Sequence, residues 1–167
     1  MKIYLATDHA GFELKNKVKE YLISKGYEVE DCGAFVFDSI DDYPDFIGRA
    51  AAKVSADPMN SRGVIFGGSG QGEAMVANRF PNVRCSLYYG APREISFMKR
   101  LMSIGTKDSI VRLSRTHNDA NVISIAARFV PFDEAKKVIE LWLNTAFPGE
   151  ERHVRRIAKI EKLLKAC

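Results

Sequence analysis

The sequence lacks the features by which membrane, secreted and metal-stabilised proteins are recognised. Its 167 residues contain no run that approaches the ~18 consecutive apolar residues that a membrane-spanning helix needs. Asp8 interrupts the first apolar stretch too early for the core of a signal peptide, and no small-residue cleavage site follows it. Cys32, Cys85 and Cys167 form no Cys-x-x-Cys pair, so neither a disulfide framework nor a structural zinc site is expected. We therefore expect a cytoplasmic protein that contacts no membrane.

Repeats, low-complexity tracts and linkers are also missing from the sequence. Apolar residues make up 46% of the chain and charged residues 28%, a balance that is typical of folded domains and excludes a disordered or fibrous protein. We therefore interpret residues 1–167 as a single domain.

Nucleic-acid-binding signatures are absent, although the net charge is +4. Residues 93–115 hold six basic and two acidic residues, and residues 150–167 hold six basic and three acidic ones. Neither segment interleaves aromatic residues with its basic ones, and no helix-turn-helix, RNP or KH signature occurs. The two segments therefore favour a small anionic partner over nucleic acid. A solvated helix face is the alternative, and an RNA-associated protein that uses residues 93–115 is a weaker one.

What the sequence does contain is an alternation of apolar strands and helices. The strands are apolar throughout, which is typical of a parallel sheet with both faces covered by helices. The predicted fold class is therefore α/β, a three-layer α/β/α sandwich with a five-stranded parallel sheet. The predicted strands are 2–7, 27–32, 63–66, 83–87 and 122–126, and the predicted helices include 14–22, 44–56, 73–80, 133–146 and 151–166, with an interrupted helix in 90–115.

Three polar segments flank the predicted strands. Asp8-His9 and the glycine loop 67–72 each follow a strand, and parallel sheets bind small ligands beyond the carboxyl ends of their strands. The segment 115–119 precedes its strand, so this rule supports its placement least. We expect all three segments on one rim of the sheet.

The glycine loop departs from three common motifs. A dinucleotide fingerprint that starts at Gly68 or Gly70 lacks its third glycine, and a Walker A loop needs Lys where Glu73 stands. Ser69 is followed two places later by Gln71, so the loop is no nucleophile elbow.

A carboxylate at a helix start repels phosphate, but the free N–H groups beside it suit a developing oxyanion. The carboxylate could act as a base that removes a proton next to a carbonyl, while the N–H groups stabilise the oxygen that becomes negative. The alternative is that Glu73 merely complements the helix dipole.

The three histidines do not have the spacing of a metal site. His9, His117 and His153 form no His-x-x-x-His or His-Glu pair, so no metal is expected. Arg152 and Arg156 are four residues apart and share one helical face, an arrangement that suits a phosphate. An exposed basic helix is the alternative.

A set of motifs runs through nearly the whole chain: Asp8-His9-Ala10-Gly11, Asp42-Tyr43-Pro44, residues 67–73, Ala77-Asn78, residues 114–121 and Arg152-His153. In content and order they resemble those of the RpiB/LacAB family of sugar-phosphate isomerases. The resemblance implies a Rossmann-like fold and the interconversion of ribose 5-phosphate and ribulose 5-phosphate through an enediolate, without metal or cofactor, in the pentose phosphate pathway. It also implies a homodimer with the active site at the subunit interface, and it leaves a tetramer open. The C-terminal helix (about 150–166) is then expected to pack on the partner subunit.

The resemblance assigns a role to each matching residue. Glu73 would carry the proton between C1 and C2, while Ser69 and the N–H groups of Gly70 and Gly72 would hold the enediolate. His117 would open the furanose ring with the help of Asp8. The implied substrate-binding residues are completed by His9, Gly68, Tyr43, Asn118, Arg128, Arg152 and Arg156, of which His9 and the three arginines would take the phosphate, some from the partner subunit.

Two departures from the family pattern bear on activity and substrate. One branch of the family has a catalytic Cys at the position of Gly67 and Thr at that of Ser69, so we assign no catalytic cysteine here. The segment between Tyr89 and Arg112 is longer than the family pattern leads us to expect. The alternatives are therefore an isomerase of a six-carbon sugar phosphate (allose or galactose 6-phosphate) and a non-catalytic sugar-phosphate binder.

Overall fold

The fold is built on one five-stranded sheet in which every pairing is parallel. A computed structural model describes residues 1–90 and 109–164. The strand order is β2-β1-β3-β5-β4, so β2 and β4 are the edges. This arrangement confirms the predicted α/β class and the five parallel strands. The strands are β1 (Lys2–Ala6), β2 (Glu28–Asp31), β3 (Ser61–Gly67), β4 (Cys85–Tyr88) and β5 (Val122–Ala126).

Helices cover both faces of the sheet, as the continuously apolar strands predict. Ile3 and Leu5 of β1 point into one core, which holds the fully buried Trp142, whereas Ala6 points into a second core with Ile47. Two separate cores on either side of one sheet make the three layers. The helices are α1 (Phe12–Ser24), α2 (Tyr43–Ala56), α3 (Gln71–Ala77), α4 (Ile110–Thr116), α5 (Phe132–Leu143) and α6 (Glu151–Leu164), with a 3-10 turn at His9–Gly11.

Some predicted boundaries differ from the observed ones. The helix predicted from residue 73 starts at Gln71, because Gly70 takes a left-handed backbone conformation that ends the loop there. Glu73 therefore lies in the first turn of α3. Most of the helix expected in 90–115 lies outside the described residues, and its described end is α4. None of the helices within residues 1–90 and 109–164 is long and apolar enough to cross a membrane.

The prediction that three segments share one rim is wrong for residues 115–119. In the register of β3 and β5, Gly63 pairs with Val122 and Gly67 pairs with Ala126. A segment that leads into a parallel strand lies at its amino end, so residues 115–119 lie at the edge opposite the glycine loop. At about 3.3 Å per residue, β5 separates the two edges by roughly 13 Å.

Candidate active site

The carboxyl edge of the sheet brings together the ends of β1, β3 and β5. Asp8 follows β1 and is 6% exposed, and its Oδ1 accepts a hydrogen bond from the backbone N–H of Ala10 (2.9 Å). The N–H of Arg128 donates to the carbonyl of Gly68 (3.2 Å), and the guanidinium carbon of Arg128 lies 3.1 Å from where a Cβ on Gly68 would be. A larger residue at position 68 would therefore displace Arg128.

Glycine is required at two positions where β3 leads into α3, at Gly70 in the loop and at Gly72 in the first turn of α3. Gly70 has φ +74°, and a Cβ there would lie 2.7 Å from Cδ1 of Leu87. A Cβ on Gly72 would lie 2.7 Å from the ring of Tyr43, which places that predicted substrate-binding residue against the loop. Among the residues described, no acceptor is found for the N–H groups of Gly70 and Gly72. The loop therefore offers two free donors beside Ser69.

The carboxyl group of Glu73 lies directly over Gly67. A Cβ on Gly67 would meet Oε1 of Glu73 at 1.9 Å and Cδ at 2.0 Å, so the carboxyl group fills the space of a side chain at position 67. Glu73 is 4% exposed. Burial raises the pKa of Glu73, and the negative charge of Asp8 adds to this, although the residue's own backbone N–H opposes it. A carboxylate with a raised pKa is a stronger base than an exposed one.

Asp41 holds His9 by two hydrogen bonds to a single oxygen. Oδ1 of Asp41 accepts from the backbone N–H of His9 (3.0 Å) and contacts its Nδ1 (2.6 Å). The hydrogen bond to Asp41 raises the pKa of His9, and the charge of Asp8 raises it further, whereas burial and Arg128 lower it. When the imidazole is protonated, its second N–H, on Nε2, can donate to an anion.

Asp8, His9 and Asp41 could also offer metal ligands, because one such atom from each lies within 4.8 Å of the others. Nδ1 of His9 and Oδ1 of both carboxylates already take part in hydrogen bonds with protein groups. Asp41 therefore positions His9 by hydrogen bonds, while Asp8 caps the turn that begins at His9. The prediction that the site needs no metal stays a prediction.

The amino edge of the sheet carries a second group of predicted residues. The ring of His117, at the end of α4, stacks on the ring of His153 with centroids 4.3 Å apart and planes 14° apart. His153 is 3% exposed, and its Nε2 makes no hydrogen bond within the described parts of the chain. Burial lowers the pKa of His153, and the neighbouring His117 and Arg152 lower it further. The environment of His153 therefore disfavours a positive charge on its ring.

Helix α6 is bonded to the chain at the same amino edge through Glu161. Glu161 accepts a hydrogen bond from the backbone N–H of Asn82 (3.0 Å) and pairs with Arg84 (3.5 Å), just before β4. The side chain of Arg152 is 58% exposed, and Arg156 is exposed too. Both guanidinium groups therefore remain accessible to a ligand from outside this chain.

The predicted site residues fall into two groups that one chain does not bring together. The first group, at the carboxyl edge, is Asp8, His9, Tyr43, Gly68, Ser69, Gly70, Gly72, Glu73 and Arg128. The second, at the amino edge, is His117, Asn118, Arg152 and Arg156.

Sequence reasoning missed the roles of Asp41 and His153. Asp41 is adjacent to the Asp42-Tyr43-Pro44 motif and His153 is part of the Arg152-His153 motif, so both residues lie in or beside motifs that the sequence shows. The sequence does not reveal their contacts, because Asp41 lies 32 positions from His9 and His153 lies 36 positions from His117.

Comparisons with known proteins agree on one family. The sequence model described as Ribose/Galactose Isomerase matches residues 3–93 and 103–160. Ribose-5-phosphate isomerase B of Mycolicibacterium paratuberculosis is 39% identical over 157 residues, which cover 94% of this chain and 87% of that protein. The enzyme of the same name from Escherichia coli is 31% identical, covering 95% and 93%.

Solved structures of the same enzyme resemble the fold over its whole length. Ribose-5-phosphate isomerase B of Mycoplasma genitalium, crystallised with ribulose 5-phosphate, gives a TM-score of 0.85 at 33% identity, covering 99% of this chain and 97% of that one. The Clostridium thermocellum enzyme gives 0.82 at 34% identity, covering 99% of both chains. Residues 94–102, which the family model leaves unmatched, lie within the segment expected to be longer than usual.

Proposed function

This chain belongs to the ribose/galactose isomerase family, and we propose that it interconverts ribose 5-phosphate and ribulose 5-phosphate. One observation carries the chemistry: a buried carboxyl group, that of Glu73, lies beside a loop whose Gly70 and Gly72 N–H groups have no acceptor in the described residues. The cytoplasm is the proposed compartment.

The proton transfer follows from the position of Glu73. In the aldose-to-ketose direction the carboxylate removes the proton from C2 and returns it to C1, while one hydroxyl proton moves from O2 to O1 overall. The charge that develops on oxygen in between is stabilised by the N–H groups of Gly70 and Gly72 and the hydroxyl of Ser69. Burial strengthens the base, because it raises the pKa of Glu73.

The phosphate would be held by cationic side chains at the carboxyl edge. His9, which Asp41 orients and whose pKa Asp41 raises, and Arg128, held against Gly68, supply two of them. Arg152 and Arg156, which lie at the amino edge of their own chain, would be supplied by a second copy. Asp41 is thus a positioning residue that acts through His9.

Two copies of the chain are needed to complete this site. A pentose phosphate reacts within hydrogen-bond distance of its catalytic groups, whereas the edges that carry Glu73 and His117 are roughly 13 Å apart. We therefore propose a homodimer in which each site takes Glu73, Ser69, His9 and Arg128 from one copy and His117, Asn118, Arg152 and Arg156 from the other. In it, His117 opens the furanose ring with Asp8, and Asn118 binds sugar hydroxyls.

The direct test is the Glu73→Gln variant, assayed for ketose formation from ribose 5-phosphate with a chelator present. Loss of a general base lowers the rate by about 10²–10⁴-fold. Glu20→Gln, an exposed change of the same kind on α1, is the matched control and should retain full activity. A Glu73→Gln enzyme with normal turnover would remove Glu73 from its role.

A mixing experiment tests the shared site. Glu73→Gln and His117→Asn homodimers are each defective, but a mixed dimer has one site with both wild-type groups. Random re-association of equal amounts should restore about a quarter of wild-type activity. If mixing restores nothing although subunits exchange, the two groups do not meet across the interface.

A six-carbon substrate, allose or galactose 6-phosphate, is the second candidate. The family description includes galactose, and residues 94–102 have no counterpart in the family model. These residues, like most of the segment 93–115 weighed above for RNA binding, lie outside the described residues. A panel of five- and six-carbon aldose phosphates decides between substrates. A non-catalytic binder would bind one of them without exchanging the C2 hydrogen with solvent.

A further inference from the structure

One pocket at the amino edge of the sheet has no role in the function proposed above. It has a volume of about 540 Å³ and lies between the start of β3 and the chain that follows α5, with Arg62 and Arg115 in its wall. The predicted site residues all belong to the described parts of the chain, and none of them lines this pocket. Pockets of roughly 300–1,000 Å³ are typical sites for small molecules.

Arg62 occupies a position in β3 that is unusual for a charged residue. Because side chains alternate along a strand, it points to the same face of the sheet as Val64 and Phe66. That face carries the core around Trp142, so the half-buried guanidinium group lies at the margin of an apolar core. An arginine keeps its charge at such a position and therefore needs hydrogen-bond acceptors or an anion beside it.

The guanidinium group of Arg62 is only partly satisfied by the protein. Within residues 1–90 and 109–164 its hydrogen bonds all run from Nη1 to backbone carbonyls, at 2.6 Å to Ser61 and at 3.4–3.5 Å to Pro58 and Met59. Nε and Nη2 have no acceptor in these residues, and both remain in contact with solvent. Arg62 therefore presents two nitrogens with free N–H groups.

The charges around Arg62 leave it without a counter-ion. Asp119 is the acidic residue of the pocket wall, and its two oxygens already accept from Nη1 of Arg115 (2.7 Å) and from Nη2 of Arg84 (3.0 Å). Glu161 pairs with Arg84 (3.5 Å), so these three arginines share two carboxylates. Burial lowers the pKa of Arg62, and the charges of Arg115 and Arg84 lower it further, although Asp119 opposes them.

Arg115 contributes one more donor to the same pocket. It is 4% exposed, and its Nε donates to the carbonyl of Thr145 (3.0 Å) while its Nη1 also donates to the carbonyl of Ala120 (2.6 Å). Nη2 makes no hydrogen bond in the described residues and remains in contact with solvent. The bonds to the other two nitrogens fix the guanidinium group, so Nη2 is already in place when a ligand arrives.

We propose that this pocket binds the phosphate group of a small phosphorylated molecule. A phosphate group carries a charge of about −1.5 to −2 and three acceptor oxygens. These properties match the surplus positive charge and the three free nitrogens of Arg62 and Arg115, whose guanidinium forks suit phosphate geometry. The wall also includes Pro58, Leu143 and Phe147, which would contact the carbon part of the ligand. The pocket lies at the sheet edge opposite the proposed base, so its ligand is a second one besides the substrate.

Trp142 makes this pocket observable in solution. It is the single tryptophan of the chain and is fully buried, and the guanidinium carbon of Arg115 lies 5.7 Å from the centre of its ring. The positive charge of Arg115 acts on the face of the indole ring. An anion that binds to Arg115 changes this charge environment and should therefore change the fluorescence of Trp142.

The test is a titration with inorganic phosphate at constant ionic strength, followed by the fluorescence of Trp142. We expect a saturable change in the wild type, and Arg62→Gln should raise the half-saturation concentration at least about ten-fold. Arg128→Gln, which removes a phosphate-binding residue proposed at the opposite edge, should leave this titration unchanged. Arg62→Gln should in turn keep the wild-type kcat/KM for ribose 5-phosphate.

A second variant, Ala146→Glu, leaves both arginines in place. Ala146 is exposed in the pocket wall, so the new carboxylate should compete with phosphate and raise the half-saturation concentration at least about ten-fold. Ala52→Glu, the same change at an exposed position of α2, is the control and should have no effect. The site is wrong if the wild type shows no saturable change, or if both pocket variants titrate normally. An equal response to acetate would overturn the assignment to phosphate.

Discussion

Replacing Gly67 by alanine is the sharpest test of where the Glu73 carboxyl group must lie. A Cβ at position 67 would be 1.9 Å from Oε1 of Glu73, whereas real Cβ contacts below 3.0 Å are essentially never seen. The carboxyl group must therefore retreat by about 1 Å or more, a displacement that costs on the order of 100-fold in rate. That loss corresponds to about 2.7 kcal/mol of transition-state stabilisation.

The same substitution should leave the fold intact. The atoms that clash belong to the end of a flexible side chain, and the backbone of Gly67 does not have a positive φ. Alanine also restricts the unfolded chain, which stabilises the folded state by about 0.4–1 kcal/mol and offsets part of the strain. We therefore expect a folded variant with Tm within a few degrees of wild type and kcat lowered about 100-fold.

The assay is initial-rate ketose formation, with Gly48→Ala as the control. A Cβ on Gly48 would make an ordinary 3.7 Å contact with Phe80, so this variant should keep full activity. In a Glu73→Gln background, Gly67→Ala should have no further effect, because the group it displaces is already inactive. Wild-type kcat in Gly67→Ala, or a full additional loss in the double variant, would refute the assigned position of Glu73.

Three further predictions follow from the titrating groups. Burial raises the pKa of Glu73, so kcat/KM should begin to decline with falling pH above the ordinary carboxyl value of 4.5; a pH–rate profile that is flat down to that value would contradict this. Asp41→Asn removes the carboxylate that orients His9 and raises its pKa, so KM should rise about ten-fold with kcat little changed, as saturation kinetics would reveal. Burial lowers the pKa of His153 below 6.5, so the unfolded chain binds a proton there that the folded chain does not. The free energy of unfolding should therefore fall as pH drops through 6.5, and His153→Phe should weaken this dependence in urea titrations.

The sheet could be predicted from sequence because its inner strands β1, β3 and β5 are local apolar runs. The strand ends also placed Asp8 and the glycine loop at one edge, since a parallel strand has a defined direction. The error over residues 115–119 has the same origin, because that segment leads into β5 instead of leaving it.

Contacts between distant residues could not be predicted in this way. The pairing of His9 with Asp41 depends on how the chain returns after β2, and the stacking of His117 on His153 depends on where α6 docks. The Gly67–Glu73 fit spans only six residues, but it depends on the left-handed turn at Gly70. Neither composition nor periodicity carries that information.

The location of Glu73 and His117 at opposite sheet edges has a genetic consequence if the dimer is as proposed. An allele that damages Glu73 alone would be tolerated beside a healthy one, because each mixed dimer still assembles one sound site. An allele that damages both residues in the same polypeptide would spoil both sites of every mixed dimer. With equal expression only about a quarter of the dimers would then remain functional, so the doubly damaged allele would be dominant where the singly damaged one is recessive.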